Sequence, residues 1–169
     1  YKVSSTGGEL RVTFTKATST KKKYTIVVDA GHGGKDSGAT GNGYREKDIA
    51  LDVVKYLAAE LKSDYNVIMT RDTDVFIPLG TRADIGNDAN ADLFISVHLN
   101  SASSSSGNGT EVFYYSKKES SYAAEVAKFE NSVDSKYGVT EPVSDFILND
   151  IFYRAKQQKS AAIATDVLD

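Results

Sequence analysis

At 169 residues with a formal net charge of -3, the chain is long enough for one domain with a substantial core and too short for two ordinary ones. Hydrophobic residues make up 40% and charged residues 25%, ordinary for a soluble globular protein, and the slight acidity with no Arg-rich or aromatic-interleaved patch argues against nucleic acid as a partner. The chain has no cysteine, which excludes disulfides and thiolate ligands and leaves His, Asp and Glu as candidate metal ligands.

No signal peptide and no starting methionine open the chain, so it reads as a fragment of something longer. Glu9 to Thr15 alternates like a β-strand, and Thr18 to Lys23 reads as a solvated linker. Residues 1 to 23 are therefore expected to be a linker or the tail of an upstream domain, ahead of one domain over 24 to 169. No apolar run approaches membrane-spanning length, and no internal repeat is visible.

Tyr24 to Val28 is a short apolar run rich in β-branched residues, the pattern of a buried strand. It breaks into Asp29-Ala-Gly-His-Gly-Gly34, whose glycines release the backbone into a turn and leave His32 at the strand's carboxyl end. Glu46 then stands just before a helix over about 47 to 62, with Ile49, Val53, Leu57 and Leu61 on one face and Ala50, Val54 and Ala58 beside it. A strand over Asn66 to Thr70, a helix over about 80 to 90 and a strand over Leu93 to His98 follow. This alternation predicts an α/β domain with a twisted, mostly parallel sheet, right-handed crossovers and helices on both faces. In such sheets ligands bind at the carboxyl ends of the strands.

The Ser-rich stretch 100 to 109 reads as a surface loop beside His98. Thr110 to Tyr115 is expected to be another strand, and Ser120 to about Ser132 a helix with Ala123, Val126, Ala127 and Phe129 among its buried positions. Tyr137-Gly138 and Glu141-Pro142 break any helix. Beyond them Phe146, Ile147, Ile151 and Phe152 form an apolar stripe at helical spacing, and a last helix from about Gln157 carries Ala161, Ala164 and Val167.

His32 and His98 are the only histidines in the chain, and both leave strands at the same kind of position. With Glu46 at a nearby helix start they would make a His, Glu, His set with an open fourth position, the pattern of catalytic zinc. Each residue also has an ordinary role open to it: a hydrogen-bonded structural histidine, or a glutamate complementing a helix dipole.

Several separate motifs, in order, carry a resemblance. Val28-Asp-Ala-Gly-His-Gly-Gly34, Arg45-Glu-Lys-Asp48, Met69-Thr-Arg71, Phe76-Ile-Pro-Leu79 with Arg82, and Phe94-Ile-Ser-Val-His-Leu-Asn100 resemble the zinc-dependent N-acetylmuramoyl-L-alanine amidases of the third amidase type. The resemblance runs from about residue 24 to the end. It implies one Zn2+ ion held by His32, Glu46 and His98, with cleavage of the amide joining N-acetylmuramic acid to L-alanine in peptidoglycan. Zinc would polarise the carbonyl and activate water, so no serine or cysteine nucleophile is required. Asn100, two residues beyond a ligand, would face the substrate. A zinc carboxypeptidase-like peptidase fits less well, because it places its first His and its Glu close together, whereas fourteen positions separate His32 from Glu46.

The resemblance also sets two further expectations. Family members carry a final strand with a glutamate, an aliphatic residue, glycine and phenylalanine, and that glutamate is the general base. No such segment precedes Asp169, so the final strand and its base are expected beyond it; Glu111 is the candidate stand-in. The alternative reading is a catalytically inactive or peptidoglycan-binding form of the same fold. Lys128-Phe-Glu-Asn131, Asp134 and the apolar run ahead of Ser160 resemble the subset of periplasmic cell-separation amidases with an inserted helical segment. This implies a regulatory insert at about 133 to 156, covering the site until a protein activator withdraws it, in an exported envelope enzyme. Glu141, the only glutamate after residue 130, would then offer zinc a fourth ligand, unless it is an ordinary solvated loop residue.

Overall fold

A computed structural model of the protein describes residues 2–6, 9–13, 23–100, 109–114, 120–130, 132–139 and 150–168, with the backbone path alone for 2–6, 9–13, 133 and 150–156. β1 (Lys2–Thr6) and β2 (Glu9–Thr13) pair as an antiparallel hairpin. The alternating stretch from Glu9 thus forms a strand, against a partner whose polar composition gives little strand signal of its own.

The sheet that carries the site has three parallel strands in the order β6-β3-β7: β3 (Thr25–Ala30) in the centre, β6 (Asn66–Met69) and β7 (Leu93–Val97) at the sides. Only the central strand is covered on both faces, so Val27 and Val28 are fully buried while β6 and β7 hold mostly half-buried and exposed positions. A strand buried on both faces is a continuous apolar run. That is why Ile26 to Val28 is legible as one, whereas Tyr24, expected within the buried strand, lies just before β3 and is exposed.

Side chains alternate across a strand, and each face of β3 meets a different helix. Ile26, Val28 and Ala30 form the core with Ala50, Leu51 and Val54 of α1 (Glu46–Leu61). Each such fully buried Val or Leu contributes roughly 1.5–3 kcal/mol. Asp29 points the other way, toward Arg82 of α2 (Leu79–Asp88). The first crossover, through α1, therefore leads from β3 to β6, and the second, through α2, returns past β3 to β7. A crevice opens between β3 and β7 where the connections diverge, the place where such sheets bind ligands.

A short hairpin of β4 (Thr40–Gly41) and β5 (Tyr44–Arg45) leads into α1. Later helices are α3 (Ser121–Glu130), α4 (Val133–Lys136) and α5 (Asp150–Leu168). Among the described residues, no helix is long and apolar enough to cross a membrane.

Several expectations need correction. The buried stripe of α1 runs through Glu46, Lys47, Ala50, Leu51 and Val54, and Val53 is exposed; the sheet presses one position round the helix from the most apolar line. Residues 110–114 form no strand. Glu111 is held there by its side chain, accepting hydrogen bonds from Asn100 and Tyr122, in place of a backbone ladder. α3 has no buried residue, and Phe129 is 64% exposed, so the apolar positions of this helix do not dock into the core. α5 begins at Asp150 rather than near Gln157; among its described side chains Ala164 is buried. Glu141, Phe146 and Ile147 lie outside the described residues, as do the side chains of Ile151 and Phe152.

Candidate metal centre

The register of the sheet brings the two histidines together. Ala30 of β3 pairs with Val97 of β7, and Gly31 N–H extends the ladder by donating to Val97 O at 3.0 Å. His98 follows directly, and His32 follows one residue after Gly31, so their ring centroids stand 4.9 Å apart in an edge arrangement. Close approach dictates the glycine: a Cβ on Gly31 would lie 2.5 Å from the His98 ring. His32 itself has φ 58, a left-handed conformation that non-glycine residues adopt mainly where function or packing demands it.

Glu46 is the first residue of α1, and its own backbone N–H donates to Ala39 O at 2.8 Å. Its carboxylate takes two such donors from elsewhere, Ala39 N–H on Oε2 and Leu99 N–H on Oε1, both at 2.8 Å. Gly38, with φ +63, permits this: a Cβ there would lie 2.6 Å from Glu46 Oε2 and from the His32 ring. The fourth member is Glu130, the last residue of α3.

One ligand atom from each of His32, Glu46, His98 and Glu130 lies within 4.8 Å of all the others. Glu46 Oε1 stands 3.1 Å from His32 Nε2 and 3.2 Å from His98 Nδ1; Glu130 Oε2 stands 3.3 Å and 2.9 Å from the same two nitrogens. These distances suit ion pairs, but the directions do not suit hydrogen bonds. His32 Nε2, His98 Nδ1 and Glu130 Oε2 are all buried without a hydrogen-bond partner. Atoms aimed at a shared central point, rather than along one another's N–H lines, are what a cation requires. An orphaned buried polar group is otherwise costly, so the donor set fits a metal with N and O ligands.

Around the centre, polar contacts fix the ligands. His32 Nδ1 lies 2.6 Å from Asp36 Oδ2; donation to that carboxylate leaves Nε2 as the lone-pair nitrogen facing inward. Two buried arginines hold the glycine turn by its carbonyls. Arg71 donates to Ala30 O and Gly31 O, and Arg82 to Ala30 O and His32 O. Lys47 adds a bond to Gly34 O and an ion pair with Asp74 at 2.6 Å. Arg71, Arg82 and Lys47 belong to the quoted motifs and hold the carbonyls of the turn.

Electrostatics follow from the two carboxylates. Burial alone would push the His32 imidazole down, but Glu130, Glu46 and Asp36 outweigh it and raise it to about 10. His98 behaves alike: burial lowers it, and Glu130 and Glu46 carry it up to about 9. Burial would raise Glu46, yet both histidines and its two backbone donors hold it well below the carboxylate range. Glu130 is likewise held down to about 2 by the histidines against its own burial. The centre is thus built to carry positive charge between two anions, as protons or as a metal.

A family model described as N-acetylmuramoyl-L-alanine amidase matches residues 26–167 of this chain. The chain belongs to that family. Among curated relatives of this amidase family, AmiA of Escherichia coli K12 is 33% identical over 142 residues, covering 82% of this chain and 49% of the relative. The endolysin of Bacillus phage SPP1 is 51% identical over 98 residues, covering 57% of this chain and 35% of the relative. The chain thus spans less than half the length of either. The solved catalytic domain of CwlV, an N-acetylmuramoyl-L-alanine amidase from Bacillus (Paenibacillus) polymyxa var. colistinus, is 34% identical with a TM-score of 0.54, covering 66% of this chain and 61% of that one.

Within this amidase fold, His32, Glu46 and His98 are brought together with Glu130. Glu130 was not among the expected residues; its signal was in plain view, since it lies inside the Lys128-Phe-Glu-Asn131 motif. Asp36, four residues after His32, was likewise missed. Asn100 is exposed and donates to Glu111 at 2.9 Å. It lines a cavity of about 340 Å³ with Leu99, Tyr122, Phe129 and Glu130, which places it beside the centre on the α3 side. Glu111 is held by Asn100 and Tyr122 and is not one of the four converging groups.

Proposed function

We propose that this chain hydrolyses the amide bond between N-acetylmuramic acid and L-alanine in peptidoglycan, using one zinc ion held by His32, Glu46 and His98. The observation that carries this reading is the convergence of buried, unpartnered His32 Nε2, His98 Nδ1 and Glu130 Oε2 around Glu46. When bound, zinc supplies Lewis-acid polarisation of the amide carbonyl and makes water a competent nucleophile near neutral pH. The protein's own part is to keep Glu46 ionised through Ala39 and Leu99, to hold the His32 tautomer through Asp36, and to present Asn100 to the substrate from the adjoining cavity.

Glu130 faces the same centre from α3, so a substrate carbonyl can enter only when that carboxylate withdraws. We therefore read Glu130, rather than Glu141 alone, as the group that closes the site, and a protein activator as the agent that moves it. The relatives' names as N-acetylmuramoyl-L-alanine amidases support work in the bacterial envelope, with the periplasm the compartment we assign.

The test pairs metal analysis with product analysis. The chain should bind one zinc ion, and His98→Ala or Glu46→Ala should abolish stoichiometric binding. Incubation of purified sacculi with the full-length protein carrying Glu130→Ala, which opens the site, should release peptides with free L-alanine amino termini, and the same protein with His98→Ala added should release none. Full zinc occupancy in His98→Ala would show the ligands to be misassigned. Binding to sacculi without release of peptides would favour a binding module over an enzyme.

A further inference from the structure

Glu130 is the one member of the four that no core element positions. His32 and His98 hang from paired strands and Glu46 from α1, but α3 buries none of its residues. Something else must place its last side chain. The structure assigns that task to Asp134 and Tyr137, a clamp just downstream that fixes Glu130 in the centre; this inference rests on Glu130 being the closing group.

Asp134 lies on α4, the single turn that follows α3. The first helical residue of α2, Leu79, follows Pro78, which provides no side-chain cap, and the first turn of α2 holds no acidic residue. Both oxygens of Asp134 accept from Leu79 N–H, at 3.2 and 3.1 Å, so the missing cap is supplied from fifty-five residues away. A capping carboxylate both satisfies an orphan donor and complements the helix dipole.

Tyr137 makes the second hold. Its hydroxyl donates to Lys35 O at 3.1 Å, within the loop bearing His32 and Asp36. Its ring meets Phe76 edge-on at 5.4 Å, and the Lys35 ammonium sits 4.6 Å from the Phe76 centroid and 4.9 Å from that of Tyr137. The stretch 134–137 is therefore tied to both the α2 end and the His32 turn. Glu130, four residues upstream of Asp134 in sequence, is held over the centre by these ties. Asp134 and Tyr137 are positioning residues: they touch neither metal nor substrate and act through Glu130.

The test uses Co2+ in place of zinc, because its visible absorption reports the ligand set without turnover. Glu130→Gln should change the Co2+ spectrum and speed metal loss to a chelator, on the order of ten- to a hundredfold, as loss of a metal-facing group does. Asp134→Ala and Tyr137→Phe should move both readouts the same way and by a similar factor. In the Glu130→Gln background neither should add anything, because the effect runs through Glu130. Asp134→Asn, which retains an acceptor of the same shape, should restore the wild-type spectrum if Asp134→Ala perturbs folding. Unchanged spectra and chelation rates in Asp134→Ala and Tyr137→Phe would overturn the clamp. So would equal effects with and without the Glu130 carboxylate, since the two residues would then be acting on the His32 loop instead. A silent Glu130→Gln has a separate meaning: it would remove Glu130 from the metal and, with it, the clamp's purpose.

Discussion

At the scale of single residues, the centre balances charge in two interchangeable ways. Without metal, His32 raised to about 10 and His98 raised to about 9 both carry protons at neutral pH between Glu46 and Glu130. Two imidazolium protons and one divalent cation bring the same charge, so metal binding at pH 7 should expel about two protons per ion. Calorimetry of Zn2+ binding in two buffers of different ionisation enthalpy measures that number, and release near zero would contradict the protonated resting state. Affinity should accordingly rise with pH through neutrality and level off above about 9 to 10, where the imidazoles are already free. The sign for stability without metal is the reverse. Raised histidines stabilise fully below their ordinary value of 6.5 and lose that contribution as pH climbs through about 9 to 10. Glu130, lowered to about 2, contributes above its ordinary 4.5 and loses its contribution as pH falls through about 2.

At the scale of elements, α2 is fastened to the sheet by one buried ion pair. Arg82 Nη1 stands 2.7 Å from Asp29 Oδ1, with both side chains nearly inaccessible. Burial would raise the Asp29 carboxyl, but Arg82, Ser96 and Thr70 outweigh it and hold it below its ordinary 3.8. Arg82→Met should therefore destabilise by about 3–5 kcal/mol, the effect of stranding one partner of a buried pair. Urea denaturation at neutral pH reads this, and the deficit should shrink as pH falls and Asp29 takes up a proton. A loss under 1 kcal/mol would mean that α2 is held some other way. The same elements show what the sequence could and could not disclose. β3, β7 and α1 declare themselves because each has an apolar pattern with a residue of metal-ligand chemistry at or just beyond one end. α3 misleads, since Ala123, Val126 and Phe129 match a core helix while the useful residue is the polar Glu130 at its end. Thr110 to Tyr114 misleads for the complementary reason: β-branched and aromatic residues favour a strand, but Glu111 is engaged sideways by Asn100 and Tyr122. Arg71 and Arg82 were visible as motif residues, yet their work of gripping carbonyls of the glycine turn depends on contacts spanning forty or more positions, which no local pattern encodes.

At the scale of the whole molecule, bound metal should stabilise the fold by mass action. Free zinc at a hundred times its dissociation constant contributes about 2.7 kcal/mol, so thermal unfolding should shift upward with zinc and downward with a chelator. His98→Ala should be insensitive to both. The pairing of Ala30 with Val97 has a further consequence in time. His32 and His98 are separated by sixty-six positions of chain and meet only after β3 and β7 have aligned in parallel, with all the intervening chain looped between them. Such long-range pairing forms late and slowly, so the nascent or refolding chain offers zinc no assembled site to nucleate upon. Zinc should leave the refolding rate nearly unchanged and slow unfolding instead, the signature of an interaction absent from the transition state. In stopped-flow traces the denaturant dependence should shift on the unfolding limb alone, and a zinc-accelerated refolding limb would mean that the two histidines find each other before the sheet does.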